Sequence, residues 1–204
     1  FGLDDECILF TVNIGAPGGV GRPLALGPDP MRPTGPSDAW AGLYATGEFF
    51  RIDGVSGLIE TSVKITPVNN LPTNPYGAAV DFYGILWAPS LNSGRLYYFD
   101  TNQPTQQGMV EYTGGGGFYG IALDGYSVPI PDDKLLIQQI WMGDYNGGKG
   151  AGAIRYRPVR DKGFFGLGTG TCQGRVRQRS QHVRLRGAAG ARPRRRQPLA
   201  GVLR

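Results

Sequence analysis

An internal repeat is the feature of this sequence that most limits what the chain can fold into. Trp40 precedes Asp53 by 13 positions, and Trp87 precedes Asp100 by the same 13 positions. The two tryptophans are 47 residues apart, and a third stretch with a similar pattern runs over residues 118–158. A repeat length in the forties is typical of one blade of a β-propeller. The sequence therefore predicts consecutive copies of one structural unit.

The second copy shows what this unit contains. Short apolar and aromatic runs alternate with Gly, Asn and Pro, which predicts four antiparallel strands: Ala78–Asp81, Ile85–Ala88, Arg95–Asp100 and Met109–Tyr112. No segment has the sustained 3.6-residue periodicity of an amphipathic helix. We therefore predict an all-β fold, a partial β-propeller of about three four-stranded antiparallel blades plus a partial blade. A β-sandwich with coincidental spacing is the alternative.

The repeat also predicts the domain organisation and the roles of several residues. The segment Gly21–Leu26 is a weaker, earlier copy of the first strand, and the three tryptophans are expected to lie in the core or between blades. Asp53 and Asp100 are expected to accept backbone N–H groups in the turns that they begin. We predict an N-terminal strand or lead-in at 1–19 and then blades, followed by a tail at 172–204. The expected blade bounds are 20–66, 73–114, 115–160 and a partial 163–171.

The charge of the chain is divided between a body and a tail. Residues 1–170 carry 16 acidic and 11 basic side chains, whereas residues 172–204 carry ten Arg and no Lys, Asp or Glu, which together give the net charge of +5. Three interpretations of this tail remain open. The tail is a basic arm for nucleic acid or anionic surfaces, or a solvated disordered tail. The third interpretation, which we favour, is that this segment is the translation of GC-rich DNA in the wrong reading frame.

The repeated pattern resembles the streptogramin (virginiamycin B) lyase-like propeller repeats over roughly residues 20–160. The residues that carry this resemblance are Pro75, Gly77, Ala79, Asp81, Gly84, Trp87, Arg51, Asp53, Gly57, Glu60, Asp100, Glu111 and Tyr112. The resemblance implies a propeller of about seven blades, so we expect this chain, with its partial fourth blade from Gly163, to be a fragment. It also implies, for the lyase itself, a His-bearing centre with Glu and magnesium that opens a cyclic depsipeptide by elimination.

Those catalytic residues cannot be assigned here. The only histidine is His182 in the tail, so residues 1–181 lack an imidazole general base. The glycine-rich run 113–117 lacks the Lys-Ser/Thr of a phosphate loop, and the calcium-like loop 144–150 has Arg155 where the bidentate Glu would stand. Cys7 and Cys172 form a disulfide only in an oxidising compartment. We therefore assign no catalytic, cofactor-binding or metal-binding residue and expect no cofactor.

These observations favour a non-catalytic propeller that binds or scaffolds, in an exported or surface bacterial protein located outside the cell, in the periplasm or on the cell surface. An incomplete, magnesium-dependent streptogramin B lyase-like C–O lyase whose catalytic blades are missing is the alternative. The expected partner is a ligand or protein at a propeller face. We expect neither a nucleic-acid partner, since the body lacks a basic stripe, nor a membrane span, since no apolar run is long enough.

Overall fold

The computed structural model describes residues 9–28, 34–67, 70–112, 116–124, 128–129, 136–145, 152–156 and 158. Within these ranges all regular elements are β-strands and there is no helix, which confirms the prediction of an all-β chain. The described part accordingly has no helix of the length and apolarity that crossing a membrane requires. The predicted partial blade at 163–171 and the tail at 172–204, with His182, lie outside the described residues, as do Cys7 and Cys172.

Two four-stranded antiparallel sheets follow one another along the chain, and in each the spatial order of the strands is their sequence order. Sheet 1 contains β1 (Gly21–Gly27), β2 (Asp38–Leu43), β3 (Glu48–Ile52) and β4 (Ile59–Lys64). Sheet 2 contains β5 (Ala79–Val80), β6 (Ile85–Pro89), β7 (Arg95–Asp100) and β8 (Gln107–Glu111). The two predicted four-stranded units around Trp40 and Trp87 are therefore present, and the weak copy at Gly21–Leu26 is a first strand.

In the third unit the described residues form three of the four predicted strands of the sheet. Sheet 3 has three strands, in the order β13, β12, β9, and a separate two-stranded hairpin is formed by β10 and β11. The strands of sheet 3 correspond to the first, second and third strands of sheets 1 and 2, and the residues that follow Pro158 lie outside the described part. The additional residues between β9 and β12 contain the separate hairpin. The strands are β9 (Phe118–Leu123), β10 (Val128–Pro129), β11 (Leu136–Ile137), β12 (Ile140–Asp144) and β13 (Gly152–Tyr156).

The turns that follow the third strands are stabilised by the two aspartates predicted to accept their backbone N–H groups. Asp53 Oδ1 accepts the backbone N–H groups of Val55 and Ser56 at 2.9 and 2.6 Å. Asp100 Oδ1 does the same for the second and third residues after it, at 2.8 and 3.3 Å. Carboxylates that accept N–H groups two and three positions ahead stabilise such turns. The two aspartates thus hold equivalent corners of sheets 1 and 2.

The cross-strand register makes the three sheets comparable residue by residue. Each tryptophan on a second strand stands opposite an alanine on a first strand: Ala25 opposite Trp40, Ala79 opposite Trp87 and Ala122 opposite Trp141. A position in one sheet can therefore be matched to its equivalent in the next by counting from these pairs. The same alignment extends to the third strands, where Phe99 and Tyr156 are equivalent.

The sheets pack face to face through two apolar cores. The first core joins sheets 1 and 2 and contains the buried side chains of Trp40, Phe49, Leu86, Tyr97 and Phe99 among others. The second core joins sheets 2 and 3 and contains Trp87, Leu96, Phe118, Ile140 and Met142 among others. Because neighbouring residues of a strand point to opposite faces, each of these cores uses alternate residues of its strands.

The first strands of the three sheets lie side by side. A Cβ placed on Gly27 of β1 would lie 3.7 Å from Cβ of Val80 in β5, and one placed on Gly77 would lie 3.7 Å from Cα of Gly120 in β9. These separations are van der Waals contacts, so β1 lies against β5 and the segment before β5 lies against β9. The starts of the three first strands are consequently brought together at one end of the sheets.

Candidate functional site

Three side chains occupy the same position in the three sheets, at the start of the first strand. Arg22, Tyr76 and Tyr119 each stand three residues before the alanine that faces the sheet's tryptophan. Two further tyrosines, Tyr44 and Tyr145, directly follow the second strands β2 and β12, which end at the same end of the sheets. We call these five residues the tyrosine row. In sheet 2 the residue equivalent to Tyr44 and Tyr145 is Leu91. Sheet 2 therefore contributes one tyrosine to the row and no second aromatic side chain at this position.

The members of the row contact one another in sequence across the sheets. The guanidinium carbon of Arg22 lies 4.5 Å from the ring centroid of Tyr76 and 5.9 Å from that of Tyr44. The ring centroids of Tyr76 and Tyr119 are 4.3 Å apart, and those of Tyr119 and Tyr145 are 5.5 Å apart with the rings stacked. Such cation–π and ring contacts stabilise the side chains in fixed orientations.

Hydrogen bonds connect the polar ends of the same side chains. Nη1 of Arg22 donates to Oη of Tyr76, and this hydroxyl donates to Oη of Tyr119 at 3.0 Å. Nδ2 of Asn92, in the turn after β6, donates to Oη of Tyr44 at 3.0 Å. The hydrogen bonds thus form two groups, Arg22–Tyr76–Tyr119 and Asn92–Tyr44, and the contact of Arg22 with the Tyr44 ring joins them.

The hydroxyl of Tyr76, at the centre of the row, is protonated at neutral pH. The hydrogen bond with Tyr119 is the largest cause that raises the pKa of Tyr76, followed by desolvation, while the charge of Arg22 acts in the opposite direction. A raised pKa for an already weak acid means that the phenol stays neutral at neutral pH. Tyr76 therefore acts in the row as a hydrogen-bond donor and acceptor rather than as a general base.

The row is accessible to a ligand. Tyr119 and Tyr145 expose 50% and 57% of their surface, and Arg22 is exposed as well. Among the described residues no carboxylate pairs with Arg22. An exposed, stacked guanidinium without a carboxylate partner can hydrogen-bond an acceptor group of a ligand.

A buried ionic cluster around Arg51 is structural. Asp38 and Glu60 both pair with Arg51 at the opposite end of sheet 1, where Arg51 Nε lies 2.7 Å from Oδ2 of Asp38 and 3.1 Å from Oε2 of Glu60. Asp38 is fully buried, and its Oδ1 also accepts the N–H of Gly54 at 3.4 Å. These contacts tie β2, β3 and the following turn together and leave the carboxylate inaccessible to a substrate.

The described residues contain no cluster of three or more His, Cys, Asp or Glu side chains that could hold a metal ion. The segment 144–150, which resembles a calcium loop but was interpreted as a strand-connecting loop, falls mostly outside the described part, with only Asp144 and Tyr145 inside it. Two residues of the glycine-rich run 113–117 are described, and Gly117 lies against the backbone of Leu91. The absence of catalytic, cofactor-binding and metal-binding residues stays a prediction for the whole chain.

The tyrosine row was not found from the sequence, although one signal for it was visible. Tyr76 and Tyr119 are 43 residues apart and each precedes a repeated glycine, Gly77 or Gly120. Tyrosine is also a common strand residue, so this spacing by itself indicates only the repeat. Arg22 gives no such signal, because its equivalence to a tyrosine follows only from the strand register.

The fold and the row define an all-β protein made of successive antiparallel sheets with an aromatic, hydrogen-bonding surface at one end. No protein-family model matches this chain, and neither does any curated protein. Among solved structures the chain is similar to a luciferin-regenerating enzyme, at 14% sequence identity and a TM-score of 0.43, with 61% of this chain and 37% of that chain covered. The match thus spans less than two-fifths of that protein, and a likeness of this degree carries no argument about function.

Proposed function

We propose that the chain is a non-catalytic binding or scaffold part of a β-propeller, and that the tyrosine row is its binding surface. The observation that carries this proposal is the equivalence of Arg22, Tyr76 and Tyr119 in three successive sheets. A repeat that presents a large polar side chain at the same exposed corner of every unit builds one continuous surface. Tyr and Arg are the residues most enriched at the energetically dominant centres of binding surfaces.

The propeller interpretation is supported by the way in which the sheets pack. Trp40 of sheet 1 contacts Phe99 of sheet 2, with ring centroids 5.2 Å apart. Trp87 of sheet 2 contacts Tyr156 of sheet 3 at 5.9 Å. Both contacts join equivalent positions, so the same relation between neighbouring sheets occurs twice, as it does between the blades of a propeller. An exported or cell-surface bacterial location is part of the same proposal and rests on the repeat pattern, the low lysine content and the acidic body.

Binding is favoured over catalysis because the row lacks an acid–base pair. Its side chains are four phenols and a guanidinium that is always charged, with the amide of Asn92 beside them. These groups orient and hold a ligand, but they do not abstract a proton at neutral pH. The lyase alternative is tested by incubating the chain with a streptogramin B and magnesium. We expect no ring opening above the buffer rate, and measurable opening would favour the enzyme.

The binding proposal is tested by screening the purified chain on arrays of peptides and oligosaccharides and measuring the affinity of each hit in solution. We expect Arg22→Ala and Tyr119→Ala to weaken binding at least about tenfold, the effect of losing about 1.4 kcal/mol. The control is Phe82→Ala, because Phe82 is 73% exposed in the β5–β6 turn at the opposite end of sheet 2. Hits that bind all three variants as tightly as the unmodified chain would contradict the proposal.

A further inference from the structure

The hydrogen bonds around Arg22 have a direction that the chemistry of the guanidinium fixes. A guanidinium donates hydrogen bonds and cannot accept them, so Oη of Tyr76 is the acceptor in its bond with Nη1 of Arg22. The phenols of Tyr76 and Tyr119 carry two protons between them, and the 3.0 Å bond from Tyr76 to Tyr119 uses one of these. The proton of Tyr119 has no acceptor among the described residues. Tyr119 therefore ends this chain of hydrogen bonds as a donor.

The phenol of Tyr44 is also left as a donor, because a backbone carbonyl orients the two amides beside it. Nδ2 of Asn74 donates to the carbonyl oxygen of Tyr44 at 3.3 Å, which leaves Oδ1 of Asn74 as an acceptor. Nδ2 of Asn92 donates to this Oδ1 at 3.4 Å and to Oη of Tyr44 at 3.0 Å. Since amide nitrogens donate and do not accept, Oη of Tyr44 receives a hydrogen bond and keeps its own proton for another acceptor.

These donors surround the ring of Tyr76. The guanidinium carbon of Arg22 lies 4.5 Å from the centroid of this ring, and the ring centroids of Tyr119 and Tyr44 lie 4.3 and 6.0 Å from it. Arg22 donates one of its five N–H groups to Tyr76. A ligand that lies across Tyr76 would therefore meet the guanidinium and two phenol protons, and each of these groups donates.

The array carries one positive charge. Among the described residues no carboxylate pairs with Arg22. Asp144 precedes Tyr145 in the chain, but its Oδ1 is buried, and burial together with the charge of Asp144 raises the pKa of Tyr112. A set of donors with one positive charge matches a monoanion that only accepts hydrogen bonds. The planar fork of a guanidinium fits a carboxylate in particular.

The surroundings of these donors favour a sugar acid over a peptide. Peptides commonly bind by adding a strand to a sheet edge, in an apolar groove, or with the C-terminal carboxylate in a nest of backbone N–H groups. The donors of the row are side chains at strand ends, and β1 and β5 leave no edge open between them because they lie in contact. The exposed phenols of Tyr119 and Tyr145 combine an apolar ring with a polar edge. This combination suits a sugar ring, which has an apolar C–H face and a rim of hydroxyls.

We propose that the tyrosine row binds an acidic oligosaccharide, with the carboxylate of a uronic acid unit on Arg22 and oxygens of the sugar accepting hydrogen bonds from Tyr44 and Tyr119. This inference rests on the proposed binding function and adds the chemical class of the ligand. Arg22 selects the charge of the sugar, whereas the two phenols hold its oxygens. All the donors around Tyr76 are then used.

The test is isothermal titration calorimetry of the purified chain with trigalacturonate and with the neutral galactotriose of the same linkage. The neutral sugar has a hydroxymethyl group in place of each carboxylate. We expect trigalacturonate to bind at least about tenfold more tightly than galactotriose, because only the acid pairs with Arg22. The affinity for the acid is expected to fall as the salt concentration rises, since Arg22 is exposed.

Three variants assign the contributions of the single groups. Arg22→Gln keeps amide donors but removes the charge, and it is expected to make the affinities for the two sugars equal. Tyr119→Phe and Tyr44→Phe keep the rings and are each expected to weaken both sugars about fivefold, the loss of one hydrogen bond, while the preference for the acid remains. Tyr83→Phe, in the β5–β6 turn at the opposite end of sheet 2, is the control and is expected to bind like the unmodified chain. Circular dichroism confirms that each variant is folded.

The outcomes separate this inference from the proposed function. Equal affinity of the unmodified chain for both sugars overturns the inference, as does a preference for the acid that survives Arg22→Gln or an absence of trigalacturonate binding. A peptide that binds in place of trigalacturonate, and that Arg22→Ala and Tyr119→Ala weaken, would overturn the sugar-acid inference and support the row as a binding surface. The proposed function itself fails when no ligand of the chain depends on Arg22 and Tyr119.

Discussion

The indole Nε1 of Trp87 donates a hydrogen bond of 2.9 Å to Oδ2 of Asp81, which links the first two strands of sheet 2. Oδ1 of the same carboxylate accepts the backbone N–H groups of Tyr83 and Ile85 at 2.9 and 3.1 Å. Both Trp87 and Asp81 are buried. One side chain therefore satisfies three donors, two of them in the turn that joins the strands and one in the core.

Asp81→Ala is expected to destabilise the chain by about 3 kcal/mol, because buried donors without an acceptor cost about 1–3 kcal/mol each and such losses are not additive. Asp81→Asn keeps one acceptor oxygen and is expected to lose less. Urea unfolding followed by Trp fluorescence measures both changes. Phe82→Ala, at the exposed neighbour, serves as control and is expected to stay within about 0.5 kcal/mol of the unmodified chain. Equal stability of Asp81→Ala and the control would show that the carboxylate is not the acceptor.

Arg51 provides a second comparison, because it pairs with one buried and one half-exposed carboxylate. Asp38→Ala is expected to cost about 3–5 kcal/mol, since it removes the buried partner of a charge that is itself largely buried. Glu60→Ala is expected to cost less than about 1 kcal/mol, because water screens the exposed pair. The denaturant midpoints of the two variants show which substitution lowers the free energy of unfolding more. A larger decrease for Glu60→Ala than for Asp38→Ala would mean that Glu60, and not Asp38, is the partner that stabilises Arg51.

The repeated inter-sheet contact predicts two similar coupling energies. Double-mutant cycles on Trp40 with Phe99, and on Trp87 with Tyr156, are each expected to give a coupling of about 0.5–1.5 kcal/mol, the usual value for a buried aromatic pair. Leu substitutions at the four positions limit cavity formation. A matched cycle on Trp40 and Tyr156, which belong to different cores, is expected to give a coupling near zero. Coupling only in this third cycle would mean that the sheets are packed in another order.

Much of sheet 2 could be predicted from sequence, because its strands consist of apolar and aromatic runs between strong turn residues. The third strand, Arg95–Asp100, has the predicted bounds, and Gly84 adopts the positive φ of 77° that its predicted turn requires. The fourth strand begins at Gln107 rather than Met109. Gln107 and Gly108 have little intrinsic strand preference, and cross-strand pairing with Phe99 and Tyr98 places them in the sheet.

Sheet 3 and the tyrosine row show where sequence alone was insufficient. Trp141 was expected in the core or between blades like the other two tryptophans; it is only partly buried, on the face of sheet 3 that points away from sheet 2. Its environment depends on which sheet packs beyond it, and the repeat pattern cannot supply that. The row was missed because Arg22 and Tyr76 become equivalent only when the alanine–tryptophan pairs fix the register.

Alkaline pH provides a further test through Tyr156, which packs against Trp87. Burial raises the pKa of Tyr156 from 10.0 to about 12, with a smaller contribution from Tyr98. A group with a raised folded-state pKa contributes full stability below its unfolded pKa and loses it as pH rises through the folded value. Between pH 10 and about 12 the contribution of Tyr156 should therefore fall by up to about 1.4 kcal/mol per pH unit.

Tyr156→Phe removes this titration and keeps the ring. The stability difference between the unmodified chain and the variant is expected to be constant below pH 10 and to shift in favour of the variant above it. Urea unfolding at a series of pH values measures this difference. Comparing the two proteins cancels the titration of the other tyrosines, and a difference that does not change with pH would mean that Tyr156 is exposed.

The central claim is that the sheets lie side by side with their first strands adjacent, and a disulfide between β1 and β5 tests it most directly. A Cβ on Gly27 would lie 3.7 Å from Cβ of Val80, within the range that a disulfide requires. The measurement is made on Gly27→Cys/Val80→Cys in a background of Cys7→Ser/Cys172→Ser. Mild oxidation followed by mass spectrometry of tryptic peptides is expected to show the cross-linked pair in nearly all molecules. The control, Leu26→Cys/Val80→Cys, has one thiol on the face of sheet 1 that points away from sheet 2 and is expected to stay reduced. Free thiols in the Gly27→Cys/Val80→Cys variant, or equal cross-linking in both variants, would contradict this arrangement of the sheets.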